Sequence, residues 1–137
     1  MTSRLELTLL NQKSEIARLQ DQLEAFGRQQ GLAPRALHQV QLAIEEHLTN
    51  ILSHGYLDAA QHRIGVRIQF QPPELRVEVE DDAQPFNPLE HPVPDVSKPI
   101  EERPIGGLGI HMMRKSLDTM EYGREDGKNI LVMIKRI

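Results

Sequence analysis

The strongest constraint on the fold is an amphipathic stretch over residues 34–56. Its apolar residues recur at three- and four-residue steps, which is the period of one face of an α-helix. These residues are Leu37, Val40, Ile44, Leu48 and Ile51. Pro34 suits the first helical position, where an N–H is not needed, and Gly55 suits the end. The pattern predicts a helix over residues 34–54 with one face in a core.

Three polar residues of this stretch, Glu46, Asn50 and His54, are each four residues apart. The spacing aligns a carboxylate, an amide and an imidazole along one flank of the apolar face. Polar groups at the edge of a core are costly to hold without partners, so they are typical of a ligand-site wall. On this helix alone, however, a solvated flank with the histidine as a helix-end donor is the better interpretation.

Length and composition predict one soluble domain over residues 1–137, with a single core. The net charge of −4 and the lack of a dense basic run argue against direct binding of nucleic acid. The absence of cysteine excludes disulfides, thiol catalysis and cysteine-ligated metals. The first residues lack a signal-peptide core, and the longest apolar run, residues 130–134, is too short to cross a membrane. We therefore expect a cytoplasmic protein without membrane contact.

The remaining periodicity predicts an α+β fold. Alternation of apolar and polar residues predicts strands at residues 4–10, 62–70, 75–79, 119–122 and 129–134. Helical spacing predicts two further helices, over residues 12–30 and after the glycines near residue 106. This order favours a two-layer sandwich, with the helices on one face of a mostly antiparallel sheet. Residues 85–105 carry six of the nine prolines, and a loop of that length is commonly a functional lid.

Two segments outside the central helix carry groups that suit a nucleotide. Asp81 ends a predicted strand, where its carboxylate can accept a hydrogen bond from the amine of a base. Gly106, Gly107 and Gly109 open the last helix, where N–H groups and the helix dipole favour phosphates. Asn50 can offer its side-chain oxygen to a phosphate-bound Mg²⁺. Each signal is weak alone, because glycine clusters and aspartates after strands most often form turns.

In order and spacing, these segments resemble three boxes of the GHKL ATPases, the superfamily of gyrase, the mismatch-repair ATPases and the sensor histidine kinases. Residues 46–56 (EHLTNILSHGY) are similar to the helical N box, residues 79–88 (VEDDAQPFNP) to the adenine-binding box, and residues 106–110 (GGLGI) to the glycine-rich box. The first two are closest to the anti-sigma-factor serine kinases. The resemblance covers nearly the whole chain and implies the GHKL (Bergerat) ATPase fold, with an ATP lid at about residues 87–105.

The resemblance also implies roles for individual residues. Glu46 would be the general base that activates the substrate hydroxyl, and Asn50 would coordinate Mg²⁺ bridging the ATP phosphates. Asp81 would bind the adenine amino group, and the amides near Gly107 and Gly109 would hold the phosphates. Further positions implied at the ATP site are Thr49, Ser53, His54, Ala83, Phe86, Gly106, Leu108 and Asn129.

Two positions depart from the family pattern. Ala83 and Ile105 stand where the adenine-binding and glycine-rich boxes usually have glycine. A methyl group at Ala83 is tolerable unless the backbone there needs a positive φ. The glycines that follow Ile105 can still bind phosphate.

The function implied is that of an ATP-binding anti-sigma regulatory factor. It would use ATP and Mg²⁺ to phosphorylate a serine on an anti-anti-sigma (STAS-type) antagonist protein, and it would sequester a sigma factor, thereby regulating transcription. Phosphoryl transfer mainly demands positioning and charge neutralisation, which one cation, one base and a glycine-rich loop can supply. Apolar residues on the first strand and helix would permit a homodimer.

Three other functions stay open at this point. One is a non-catalytic ATP-binding switch that controls a partner by its conformation. Another is a detached catalytic domain of a histidine kinase, although no phosphoacceptor helix pair fits within this length. The third is a metallohydrolase, although the helix lacks the spacing that puts two histidines on one metal. Its ligands would be Glu45, Glu46, His47 and His54.

Overall fold

The computed structural model describes residues 2–90 and 107–137, with only the backbone of Gly107 and Leu108. Its strands are β1 (Ser3–Leu10), β2 (Arg63–Gln71), β3 (Glu74–Asp81), β4 (Thr119–Glu125) and β5 (Lys128–Arg136). Its helices are α1 (Lys13–Gln30), α2 (Pro34–Asn50) and α3 (Gly107–Ser116), with a π-helical turn at Ile51–Gly55 and a 3₁₀ turn at Pro88–Glu90. Most of the ATP lid predicted at about residues 87–105, and the departure at Ile105, lie outside the described residues.

The five strands form one antiparallel sheet in the order β1-β2-β3-β5-β4. Alternate residues of the central strands, such as Val66 and Val77, are buried in one cluster with helix residues such as Leu23 and Ile44. The opposite face carries charged side chains, among them Arg67. The α+β fold predicted from the alternation is therefore confirmed, and its helices cover one face of the sheet.

The first two helices pack closely because glycine permits it at two places. Gly31 takes the left-handed conformation (φ 69°) and ends α1, so that α2 begins three residues later. At Gly27 an added Cβ would lie 2.6 Å from Cδ2 of Leu37, which shows how near α2 comes. In the described ranges, no helix is both long and apolar enough to cross a membrane.

The helix predicted over residues 34–54 is confirmed through Asn50, but its last turn differs. From Ile51 to Gly55 the backbone follows a π-helical turn, in which each hydrogen bond spans five residues instead of four. Residues after Asn50 are therefore rotated away from the positions that an α-helix would give them. Single π turns of this kind occur often at functional sites.

The pairing of β5 with β3 brings two distant polar residues together. In this register Asp81, the last residue of β3, lies opposite Asn129. The hairpin that returns β5 against β4 closes through Asp126 and Gly127, whose φ angles are 52° and 74°. Two successive positive φ angles are typical of a type I′ turn, which matches the twist of the strands. The fold thus sets a carboxylate and an amide side by side at one end of the sheet.

Candidate functional site

A cavity of about 330 Å³ lies where the end of α2 meets the ends of β3 and β5. Its lining residues are His47, Asn50, Ile51, His54, Gly55, Asp81, Ala83, Gln84, Pro85, Phe86, Ile110 and Asn129. Six of the residues predicted at an ATP site meet here: Asn50, His54, Asp81, Ala83, Phe86 and Asn129.

Asp81 is the buried acid of this cavity, with 2% of its surface exposed. Its Oδ1 accepts two hydrogen bonds, from the backbone N–H of Ala83 at 3.0 Å and from Nδ2 of Asn129 at 2.9 Å. Burial raises the pKa of Asp81, and these two hydrogen bonds oppose the rise. Among the described residues Oδ2 has no hydrogen-bond partner, so this oxygen remains an acceptor for a ligand.

Asn129 holds the segment that follows β3. Its Nδ2 also lies 3.3 Å from the backbone oxygen of Ala83 and 3.0 Å from that of Gln84. Its Oδ1 accepts hydrogen bonds from the hydroxyl of Tyr122 and from Nη1 of Arg124, the latter at 2.9 Å. Protein groups therefore occupy both ends of the amide, and Asn129 organises the site more than it offers a free group to a ligand.

Ala83 fits at its position without backbone strain. Within the described chain Asp126 is the one non-glycine residue with a positive φ, so the condition for a methyl group at Ala83 is met. A Cβ added to Gly55 would lie 2.9 Å from Cβ of Ala83, so this methyl fills the space that the glycine leaves open. The N–H of Gln84 donates to the carbonyl of Gly55 at 2.9 Å. These contacts close one wall of the cavity.

Asn50 and His54 form the helical wall. Nδ2 of Asn50 is buried and finds no hydrogen-bond partner in the described part of the chain. The side chain of His54 is exposed, and its backbone oxygen accepts a 2.6 Å hydrogen bond from Nε2 of Gln84. A buried amide without a partner, beside a cavity, is a group that a ligand can satisfy.

Glu46 and Thr49 lie outside this cavity, in a groove between α2 and α3. The groove is also lined by Gly109 and by the exposed residues Leu42 and Met112. The carboxyl group of Glu46 packs directly against the glycine, where an added Cβ would overlap with three of its atoms. The predicted line of three polar residues along one flank is thus divided between Glu46 and Asn50, because residues four apart are offset by about 40° around an α-helix. The π turn begins only after Asn50 and does not affect this pair.

The glycine-rich segment is described in part. Gly106 lies outside the described residues, Gly107 opens α3, and only the backbone of Leu108 is described. Farther along α3, Nη2 of Arg114 donates to the backbone oxygen of Pro88 at 3.0 Å. This hydrogen bond fixes α3 beside the segment that leaves the cavity.

A histidine between two carboxylates lies next to the buried acid. Nε2 of His62 is 2.7 Å from Oδ1 of Asp58, and its Nδ1 is 3.1 Å from both carboxylate oxygens of Asp82. The ring of Tyr56 stacks on it, with 4.2 Å between ring centroids. The hydrogen bonds to Asp58 and Asp82 raise the pKa of His62. This cluster ties the segment after the π turn to the residue that follows β3.

The candidate ligands of the metallohydrolase hypothesis do not converge. His47 and His54 line the cavity, whereas Glu45 and Glu46 line the groove. Across residues 2–90 and 107–137, no three acidic or histidine side chains are arranged to hold a metal ion. The structure therefore offers no support for that hypothesis.

Four residues of the site carry no individual prediction from the sequence. Ile51 and Ile110 line the cavity, but in the sequence they fit an apolar helical face like any core residue. Tyr122 and Arg124 support Asn129 from the neighbouring strand, a contact that depends on strand pairing.

Residues 9–135 match the family described as the histidine kinase-like ATPase domain. The chain belongs to this family. The match extends from the end of β1 into β5, so every segment that lines the cavity of this ATPase domain falls within it.

Two proteins similar to this chain are named as kinases. The chain is 24% identical over 133 residues to serine-protein kinase RsbW of Bacillus cereus, covering 94% of this chain and 82% of that protein. It is 25% identical over 92 residues to serine/threonine-protein kinase BtrW of Bordetella bronchiseptica, covering 67% of this chain and 65% of that protein.

A solved structure confirms the fold of this ATPase domain. The crystal structure of the RsbU and RsbW domains of Rv1364c from Mycobacterium tuberculosis matches 98% of this chain, with a TM-score of 0.68 and 15% identity. The chain spans 32% of the length of that larger protein chain. At this identity the likeness establishes the α+β architecture and no more.

Gly109→Ala tests whether the glycine provides the space for Glu46. Alanine ordinarily stabilises a helix interior by about 0.5–1 kcal/mol relative to glycine, but here its Cβ would displace the glutamate carboxyl group. We expect Gly109→Ala to be more favourable in a Glu46→Ala background than in the wild type, by at least about 0.5 kcal/mol in the free energy of unfolding. Urea unfolding of the four proteins measures this coupling.

Gly123→Ala in β4 is the matched control, because a Cβ there meets nothing within 4 Å. Its effect on stability should not depend on residue 46. An equal effect of Gly109→Ala in both backgrounds would contradict the contact.

His62→Gln tests the histidine–carboxylate cluster through pH. The folded pKa of His62 is raised above its ordinary value of 6.5. The protonated ring therefore stabilises the fold fully below about pH 6.5, and this contribution is lost as the pH rises through the raised pKa. We expect the stability advantage of the wild type over His62→Gln to be largest at about pH 5.5–6.5 and to shrink towards about pH 9, as measured by urea unfolding.

His38→Gln, which removes an exposed histidine of α2, is the control for the loss of an imidazole. A wild-type advantage over His62→Gln that stays constant across this pH range would rule out the proposed charge interaction.

Proposed function

We propose that the chain is an ATP-dependent protein serine kinase. Membership in the histidine kinase-like ATPase family and two relatives named as kinases support this proposal. The observation that carries it is Asp81, a buried carboxylate with one oxygen fixed by the protein and the other left for a ligand in the cavity.

An acceptor held this rigidly suits the amino group of adenine. Because Ala83 and Asn129 occupy Oδ1 of Asp81, Oδ2 is the oxygen available to a base. At the position where adenine carries an amine, guanine carries a carbonyl. The carbonyl oxygen of guanine would face Oδ2 of Asp81, and two acceptors cannot hydrogen-bond each other. Ile51 and Ile110 supply apolar surface in the same cavity, as a purine ring requires. We infer that the base binds between this acceptor and the apolar wall.

Asn50 fits a role as a ligand of Mg²⁺. Protein-bound Mg²⁺ usually takes one or two side-chain oxygens and completes its shell with phosphates and water. Asn50 lines the cavity, so its side-chain oxygen would coordinate the cation, while the buried Nδ2, which makes no hydrogen bond within the described chain, would donate to a phosphate oxygen. The cation would neutralise charge on the phosphates, and the first turn of α3, with Gly107 and Gly109, would offer them N–H groups. ATP-site roles remain predictions for Thr49, Ser53, His54, Phe86, Gly106 and Leu108.

Glu46 is the proposed general base. It lines the groove one helical turn before Asn50 of the cavity wall, so we infer that the acceptor serine arrives through the groove. The carboxylate would take the hydroxyl proton while the serine oxygen bonds to the γ-phosphorus and the bond to the β-phosphate oxygen breaks. Exposed Leu42 and Met112 beside it offer apolar contacts to a partner protein.

The finer function proposed is that of an anti-sigma regulatory factor. The serine would belong to an anti-anti-sigma (STAS-type) protein, and the kinase would sequester a sigma factor while that antagonist is phosphorylated. A cytoplasmic location, a single domain over residues 1–137 and a homodimer belong to the same proposal. Incubation with Mg-ATP and purified candidate antagonists, followed by detection of phosphoserine, tests it. ATP binding without transfer to any candidate would favour the non-catalytic switch.

Asp81→Asn tests adenine recognition. The variant keeps Oδ1 for its two protein hydrogen bonds but turns an amide donor towards the adenine amine. We expect ATP binding to weaken by about 1–3 kcal/mol, roughly tenfold or more, and the preference of the wild type for ATP over GTP to fall. Calorimetric titration with both nucleotides measures this.

Asp82→Asn, at an exposed neighbour outside the cavity wall, is the matched control and should keep the ATP affinity of the wild type. Equal affinities of the wild type for ATP and GTP would show that Asp81 does not read adenine.

Glu46→Gln and Asn50→Ala separate the base from the metal ligand. Asn50 would act in the ground state, so its loss should weaken Mg-ATP binding itself. Glu46 would act on the hydroxyl proton in the transition state, so Glu46→Gln should bind Mg-ATP nearly as the wild type does but transfer phosphate about 10²–10⁴-fold more slowly. It should still capture the sigma factor, because capture needs the nucleotide-bound fold and not the chemistry. Titration measures the binding of Mg-ATP, and the yield of phosphoprotein measures the transfer.

If Glu46→Gln transfers phosphate at the rate of the wild type, Glu46 is not the general base. Glu45, which shares the groove, would then be the next candidate for that role.

A further inference from the structure

The cavity contains a buried histidine that none of these roles uses. His47 lies on α2, one turn before Asn50, and lines the same cavity. It is 4% exposed, and neither of its ring nitrogens has a hydrogen-bond partner among the described residues. Buried polar groups without partners are rare in folded proteins, because each one destabilises the fold. An apolar residue at this position would avoid that loss of stability, so the presence of a histidine is better explained by a function than by folding.

The chemistry of the ring indicates what it can bind. Burial lowers the pKa of His47 to about 4, so the ring is neutral at pH 7. A neutral imidazole has one N–H donor and one nitrogen acceptor. Phosphate oxygens only accept and favour a cationic partner, whereas sugar hydroxyls and the edge of a purine both donate and accept. The ring therefore matches the nucleoside part of a nucleotide better than its phosphates.

We propose that His47 is a nucleotide-binding residue that hydrogen-bonds the nucleoside part of the ligand in the cavity. The proposal rests on the nucleotide site proposed above and adds a contact to which the kinase resemblance assigns no role. Because no described group of the protein pairs with the ring, the ligand supplies the missing partner. The same residue then lowers the stability of the free protein and raises its affinity for nucleotide.

His47→Leu separates these two effects, because leucine retains an apolar side chain of moderate size and removes both nitrogens. We expect the free variant to match or exceed the wild type in stability to urea, while ADP and ATP each bind about tenfold more weakly or worse. His47→Gln, which keeps a donor and an acceptor, should recover part of the affinity. Calorimetric titration with ADP and with ATP gives the binding values.

Ile44→Val is the matched control for a change of packing on the same helix, because Ile44 is buried in the core and does not line the cavity. It removes one methyl group and no polar atom, so it should lower stability but change nucleotide affinity by less than about threefold. A loss of affinity as large as that of His47→Leu would mean that packing, and not hydrogen bonding, explains the effect, and would overturn the proposal.

The titrations distinguish the remaining outcomes. Equal losses for ADP and ATP in His47→Leu support a nucleoside contact, whereas a loss confined to ATP overturns it in favour of the γ-phosphate. Unchanged affinity with raised stability overturns it in favour of a merely buried histidine. If the wild type binds neither nucleotide, the proposed kinase function fails together with this contact.

A measurement on the wild type avoids reliance on any variant. With ¹⁵N-labelled histidine, the ring nitrogen resonances of His47 are assigned by their absence in His47→Leu. They should shift when ADP is added, because a new hydrogen bond changes the shielding of the bonded nitrogen. Saturation with ADP without such a shift would overturn the proposal.

Discussion

The site depends on the pairing of Asp81 with Asn129. A carboxylate that is 2% exposed persists in a fold only where hydrogen bonds offset its lost hydration. Asn129 provides one of these bonds from the opposite position of the neighbouring strand, and Arg124 holds the asparagine in turn. The same amide contacts the backbone oxygens of the segment that follows β3. One side chain thus sets both the orientation of the acid and the course of the cavity wall.

The sequence predicts the elements of this arrangement but not their meeting. Alternation and turn residues place Asp81 at a strand end, and they place Asn129 in the last hairpin. The hydrogen bond between them joins residues 48 positions apart. It forms because β5 lies between β3 and β4. The alternation of apolar and polar residues along a strand does not reveal which strand pairs with it. Non-local pairing of this kind had to come from the structure, whereas the family resemblance could only indicate that both positions belong to one site.

The separation of Glu46 from Asn50 has a related cause. A four-residue spacing predicts a shared flank, but which neighbour each side chain meets is decided by the helix packed against that flank. Here α3 brings Gly109 against the carboxyl group of Glu46, and a side chain at that glycine would close the space. The resemblance predicts a role towards phosphate for this glycine. The structure adds a steric role, which no single-residue pattern displays because it concerns the fit between two helices.

Folding and ligand binding place different requirements on the residues of the cavity wall. Ile51 and Ile110 satisfy both, because apolar surface that stabilises the core also suits a purine ring. Asn50 and His47 suit ligand binding but not folding. Each carries buried nitrogen without a hydrogen-bond partner among the described residues, which lowers the stability of the fold by about 1–3 kcal/mol per group. A ligand that supplies those partners returns part of this free energy when it binds, and it stabilises the folded state by linkage. On the proposed function, the hydrogen-bonded acid would then select the base, because its geometry is fixed before binding. The unpartnered nitrogens lower the stability of the protein without a ligand, so a nucleotide that binds as proposed would stabilise the fold by supplying their partners.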